Sequence, residues 1–362
     1  MINLSEIQLE ITTKCNARCP QCVRNYFGSY TWPTIPIIDM DLEWFKTSLS
    51  LETWKNLKHI RFCGTYGEPC MHPDLINLIK WIKTVSNARI TINTNGGIRT
   101  KSWWAELATV LSPECDRVYF GIDGLEDTNH LHRIGVKFSK VINNVTAFNK
   151  AGGISIWAFL VFRHNEHQID EARNMSIDIG CNSFGVKSTS RFVDKQHKLV
   201  DNTPVVDANQ HILYFLKPTT LSNYKNNGYV DIKSNTDYAQ ALKTTKISCV
   251  AKAENAIYIS AEGDVFPCGW LADRLYGAEA EGHKDHFTIM SMISSIGGKE
   301  KINLHYTAID DIVSGIWFQK IAESWKNNSI ERCAHQCGGI NSLNIESVAK
   351  LSATWKNLNK EY

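Results

Sequence analysis

Short runs rich in Ile, Val, Phe and Tyr recur through the first half of the chain, and between them apolar residues return every three or four positions. Residues 6–12, 58–63, 89–94, 117–122, 154–162 and 183–187 read as strands. Leu75, Ile76, Leu78, Ile79, Ile82 and Val85 keep the spacing of one buried helix face. Val141, Ile142, Val145 and Phe148 do the same before a Gly152-Gly153 stop. Strand and helix in strict alternation predict parallel strands joined by right-handed crossovers, hence an α/β fold. The six units make a partial (β/α)6 barrel over residues 1–195, with its chemistry expected at the C-terminal ends of the strands, where the βα loops converge.

Beyond residue 194 the alternation fades. Residues 196–246 are polar, with runs such as Ser222-Asn223-Tyr224-Lys225-Asn226-Asn227-Gly228, and read as a connecting region with one helix around 211–216. Residues 255–260 and 265–266 flank Ala261-Glu262-Gly263-Asp264 and predict a hairpin. A helical stretch follows at 309–325. These elements suggest a small α+β module over 247–345, with 346–362 as a closing helix or tail.

The chain has 362 residues, 43% of them hydrophobic, enough for a sizeable core. Its formal net charge of +2 gives no electrostatic case for wrapping a nucleic-acid backbone, although a local basic groove stays open. Met1-Ile2-Asn3-Leu4-Ser5-Glu6 lacks a basic segment followed by an apolar one, and no apolar run reaches spanning length, so a soluble, cytoplasmic protein without a membrane partner is expected. Eleven cysteines in such a chain point to metal or cluster ligation before disulfides.

Cys15, Cys19 and Cys22 stand together directly after the first strand. Three thiolates on one loop can hold three irons of a [4Fe–4S] cluster, and without a fourth cysteine nearby one iron stays open to a substrate or cofactor. The alternative is a zinc knuckle. Structural zinc wants four Cys or His ligands, and the nearest histidine, His59, lies past a helix.

This spacing resembles the signature of the radical S-adenosylmethionine (SAM) enzymes. Cys63-Gly64-Thr65-Tyr66-Gly67-Glu68-Pro69 is similar to that family's Gly-Gly-Glu-Pro motif, with Tyr66 in place of the first glycine. The resemblance implies that Gly67 and Glu68 hold the amino group of SAM; the alternative is an ordinary strand-to-helix turn. Thr94-Asn95-Gly96 and Gly121-Ile122-Asp123-Gly124 resemble segments that line the SAM pocket, the second with Gly121 where Ser is usual. Asn95 and Asp123 are thereby candidates for the ribose or the methionyl carboxylate, although both sequences are also turn formers. Asn129-His130-Leu131-His132-Arg133 resembles a stretch whose arginine pairs with the SAM carboxylate, while Arg133 reads equally as a solvated helix charge. The two histidines fit substrate proton transfer or, more plainly, a surface or capping role. The family usually has an aromatic residue over the adenine just before the third cysteine. Here Gln21 stands there, so Phe162 and Val186 are the candidates to pack that ring.

Cys249 lies before the predicted hairpin, Cys268 after it, and Cys333 and Cys337 further on. The set resembles the auxiliary-cluster modules of the SPASM and Twitch type. A two-cluster module needs more cysteines, one of them three residues before Cys333, where Ile330 stands. One auxiliary [4Fe–4S] cluster on Cys249, Cys268, Cys333 and Cys337 is therefore implied, with a four-cysteine zinc site as the alternative. Cys63, Cys70, Cys115 and Cys181 read as small buried hydrophobes, with Cys63 or Cys70 as a candidate hydrogen-atom donor.

As the resemblance implies, a reduced cluster cleaves SAM to methionine and a 5′-deoxyadenosyl radical that abstracts hydrogen from an unactivated C–H bond, fed by an external one-electron donor such as flavodoxin or ferredoxin. Relatives that modify ribosomal peptides often carry a leader-binding domain ahead of the barrel. The chain starts at its first strand, which shifts the expectation to a small polar substrate, such as a sugar, aminocyclitol or nucleotide, oxidised or rearranged at carbon. Peptide modification and nucleobase modification remain alternatives, as does a non-catalytic iron–sulfur electron carrier. Lys187, Ser188, Thr189, Ser190 and Arg191 follow the last barrel strand and suit a phosphate or carboxylate, or a solvated loop.

Overall fold

The structure, a computed structural model, describes residues 4–189, 191–192, 200–224, 240–242 and 244–338. Ser190, the run 225–228 and the expected tail at 346–362 lie outside the described residues. Six strands, β1 (Glu6–Leu9), β2 (His59–Phe62), β3 (Arg89–Thr94), β4 (Arg117–Gly121), β5 (Ser155–Val161) and β6 (Ser183–Ser188), follow one another in parallel and form the partial barrel. Period-two alternation divides their side chains. Ile7, Leu9, Ile60, Phe62, Ile92, Phe120 and Trp157 are buried on the outer side with the helices Leu75–Val85, Lys101–Val110 and Phe138–Lys150. The in-register series Gln8, Arg61 and Thr91 faces the interior.

The expected helix at 211–216 is instead a strand. β7 (Thr203–Val206) and β8 (Ile212–Leu216) form an antiparallel ribbon in which Val205 and Leu216 pack on Phe162 and Phe192. Ile212, Leu213 and Phe215 are exposed, so no helical stripe is buried, and branched and aromatic residues suit a ladder. The helical stretch at 309–325 is two helices, Ile309–Ser314 and Ile316–Ser324, broken at Gly315. A Cβ there would lie 2.2 Å from the Asp311 carbonyl oxygen.

The predicted hairpin is present as β9 (Ala256–Ile259) and β10 (Val265–Phe266), and it extends the barrel sheet. β9 lies parallel to β1 on the edge opposite β2, with Ile7 beside Ile257 and Leu9 beside Ile259. The result is one eight-stranded sheet in the order β10-β9-β1-β2-β3-β4-β5-β6. A single hydrophobic cluster includes Leu9, Phe120, Phe266 and Trp317, so both halves share a core. Among the described residues no helix is long and apolar enough to cross a membrane.

Candidate active site

The loop carrying Cys15, Cys19 and Cys22 leaves the C-terminal end of β1 and is tied to the turn after β2. The Glu68 amide donates to the Lys14 carbonyl at 2.7 Å. The buried Arg24 guanidinium donates to the carbonyls of Thr13 and Tyr66, the latter at 2.8 Å. Gly67 permits this contact, since a Cβ there would sit 1.8 Å from the Thr12 carbonyl oxygen. From the third strand end, Asn95 Nδ2 donates to Asn16 Oδ1 at 2.9 Å. Glu68 Oε2 accepts the Asn95 amide at 2.7 Å and Oε1 the Cys70 amide at 3.2 Å. Gly67, Glu68 and Asn95 thus lie together against the cysteine loop, and the Glu68 carboxylate fastens one strand end to the next.

A second cluster of charge lies beneath Cys19. Asp123 is fully buried, with Oδ2 2.7 Å from His132 Nδ1 and 2.6 Å from Arg133 Nε, while Oδ1 accepts the Leu160 amide at 2.8 Å. Burial raises its carboxyl, but the Arg133 charge and the His132 bond outweigh it and bring the pKa down to about 2. Arg133 Nη1 lies 3.9 Å from Cys19 Sγ. Burial pushes the Cys19 thiol up to about 11 against the pull of that guanidinium, and burial holds Cys15 still higher. Gly121 makes room for the arginine, because a Cβ would meet Arg133 Nη2 at 2.3 Å. His130 is exposed.

The other expected residues are more dispersed. Phe162 is fully buried between His132, His164 and Phe192, and Val186 is half-buried on β6. Gln21 works as a tie: Nε2 donates to Thr203 Oγ1 and Oε1 accepts from Thr189 Oγ1, each at 3.1 Å. Arg191 Nη1 donates to the Gln21 carbonyl, so the loop after β6 is fastened to the cysteine loop. Lys187 faces the barrel interior and Ser188 ends β6. Cys70 is buried in the core, Cys63 and Cys181 are half-buried and Cys115 is exposed.

Glu10 was not singled out from the sequence. It is buried on the inner side just past β1, accepts the Tyr66 and Gly67 amides at 2.5 and 2.8 Å, and receives the Tyr258 hydroxyl from β9. Burial raises its pKa to about 7. An acid in line with Glu6 and Gln8 passes for an ordinary polar alternate, so no local signal marks it.

Cys249, Cys268, Cys333 and Cys337 line one pocket, walled by Trp270, Leu271, Ile321 and Trp325. The hydrogen bond between Cys249 and Cys337 draws the Cys249 thiol below its ordinary value. Arg332 also lines the pocket, 2.6 Å from Asp273 and stacked over Trp270. Among the described residues no three His, Cys, Asp or Glu side chains gather as around a single ion. The fit of both cysteine sets to clusters therefore rests on the donors: thiols alone, with a cation near Cys19 and an apolar pocket at the other set.

Residues 9–175 match the family model described as the Radical SAM superfamily. The match covers a little under half of the chain and takes in the three-cysteine loop and the Asp123–Arg133 pair. A domain of that superfamily implies a [4Fe–4S] cluster and SAM. The chain is 26% identical over 219 residues to a tungsten-containing aldehyde ferredoxin oxidoreductase cofactor-modifying protein of Pyrococcus furiosus, covering 56% of this chain and 58% of the relative. It is also 26% identical over 181 residues to a GTP 3′,8-cyclase of Petrotoga mobilis, covering 49% and 53%. The matches span little more than half the length of these relatives. The fold is similar to that of native anSMEcpe with bound AdoMet and Kp18Cys peptide, with a TM-score of 0.52 at 12% identity over 89% of this chain and 84% of that one.

Proposed function

We propose that the chain cleaves SAM reductively and abstracts hydrogen from a C–H bond of a small polar substrate. The observation that carries the reading is the joining of the three-cysteine loop to three successive strand ends, through Glu68, Asn95 and the Asp123–Arg133 pair. In this reading Cys15, Cys19 and Cys22 bind three irons. The cluster, when bound, supplies the electron that breaks the SAM sulfonium bond. Gly67 and Glu68 shape the seat of the methionyl amino group, and Asn95 holds the ribose edge. Asp123 keeps Arg133 charged beside Cys19, where a cation stabilises sulfur's negative charge and aids binding of the SAM carboxylate. Cys249, Cys268, Cys333 and Cys337 would hold one auxiliary cluster in the apolar pocket that they line. The small-substrate preference is supported by the relative named for GTP, a nucleotide.

The test is anaerobic protein with reconstituted iron and sulfide, treated with dithionite and SAM. The expected result is release of 5′-deoxyadenosine, lost when Cys15, Cys19 and Cys22 are replaced together by Ala. Iron binding without nucleoside release would favour an electron carrier instead.

A further inference from the structure

The segment from Cys268 to Gly277 starts in the pocket of the second cysteine set and ends against the three-cysteine loop. Helix Gly269–Ala272 begins directly after Cys268, and the Ala272 carbonyl accepts the Tyr66 hydroxyl at 2.9 Å. The Tyr276 ring meets the Tyr66 ring edge-on, with 5.1 Å between centroids. At its far end the segment touches the first cysteine set. The Tyr276 carbonyl accepts from Thr34 Oγ1 at 3.0 Å, and a Cβ on Gly277 would lie 2.5 Å from the carbonyl oxygen of Val23, the residue after Cys22. Tyr66 is buried, and its backbone is held on both sides: its amide donates to Glu10 at 2.5 Å and its carbonyl accepts from Arg24 at 2.8 Å. Gly67 and Glu68 follow it directly, and the Glu68 amide donates to the carbonyl of Lys14, the residue before Cys15. Tyr66 stands where the resembled motif has its first glycine, so this chain places there a side chain that reaches from the turn to the second cysteine set.

We infer that Tyr66 is a positioning residue that makes SAM binding at the first cysteine set depend on whether the second set is occupied. This rests on the reading of both sets as cluster sites. A group bound by Cys268 and its three partner thiols fixes the start of the segment, because ligation holds the backbone that carries the ligands. The Tyr66 hydroxyl then meets a fixed acceptor, and the turn that shapes the methionyl seat is ordered before SAM arrives. With the second set empty the segment is freer. Part of the binding free energy of SAM is then taken up in ordering the turn, which lowers its apparent affinity. Linkage makes the effect reciprocal, so bound SAM tightens the hold of the second set on its group.

The test is a double-mutant cycle read by isothermal titration calorimetry of SAM into anaerobically reconstituted protein. Replacing Cys333 and Cys337 by Ala should weaken SAM binding at least about fivefold when Tyr66 is present. In Tyr66→Phe, which keeps the ring and loses the bond to Ala272, the same replacement should change SAM affinity less than about twofold. Tyr276→Phe removes the hydroxyl bond to Glu262, leaves the ring against Tyr66 and should keep the full dependence. A tyrosine that only packs the turn would lower SAM affinity by the same factor with the second set filled or empty, and that result overturns the inference. Hydrogen exchange gives a reading that needs no change at Tyr66, should the Phe variant fail to fold by circular dichroism. In protein with Cys15, Cys19 and Cys22 replaced by Ala, the amides of residues 66–68 should exchange more slowly with iron and sulfide at the second set than without, and equal exchange overturns the inference. Wild type that takes up iron at both sets and binds no SAM overturns the radical SAM reading and the inference with it. SAM binding indifferent to the second set overturns the inference alone.

Discussion

Asp123 concentrates more structure than any other single side chain at the rim, because one buried carboxylate serves His132, Arg133 and the Leu160 amide. Asp123→Asn keeps the size but leaves a buried guanidinium without its counter-charge, which costs about 3–5 kcal/mol. The urea unfolding midpoint should fall accordingly, and an unchanged midpoint would show that Arg133 is paired elsewhere. Glu10 makes the opposite prediction for pH. Its folded pKa, about 7, exceeds the ordinary 4.5, so the folded state holds the proton more tightly than the unfolded chain. The stability it contributes is present below pH 4.5 and lost as pH rises through about 7, on the order of 3 kcal/mol in all. Glu10→Gln should flatten the decline of the thermal midpoint across that window relative to wild type. Equal slopes in the two proteins would place the titration on another group.

At the level of elements, local patterning reveals much and misses what is non-local. The helix Leu75–Val85 and the strand Arg89–Thr94 follow directly from apolar spacing, since each buries one regular face. The segment Ile212–Leu216 does not, because its apolar residues are largely exposed and only pairing with Thr203–Val206 fixes its conformation. The cysteine loop was legible from spacing. That Asp123 and Arg133 neutralise each other was not, since pairing across a loop leaves no periodic trace. Gly67 joins the two levels, because it is a glycine for the sake of the neighbouring loop and not for its own turn. Gly67→Ala should displace the cysteine loop, lowering SAM affinity at least tenfold and stability by about 1–3 kcal/mol, the usual cost of overpacking. Gly185→Ala, with open space around the added methyl, is the control for stability and should change the thermal midpoint little.

For the whole molecule, the parallel pairing of β9 with β1 decides how the two halves depend on each other. Sequence patterning places the hairpin correctly and says nothing about which edge it joins. Since the halves share one sheet and one core, a chain ending at residue 246 would expose the edge of β1 and the apolar faces of Leu9 and Phe62. It should aggregate or lack cooperative unfolding by circular dichroism; a truncated barrel that melts sharply would make the hairpin an accessory. The same pairing makes β1 an interior strand, bonded along both edges, and β1 carries the loop with Cys15, Cys19 and Cys22. Backbone amides in such a strand exchange with deuterium only when the whole domain opens. Residues 6–9 should therefore be among the last to exchange, with iron or without it, and oxidative loss of the cluster would leave its root in place for repair.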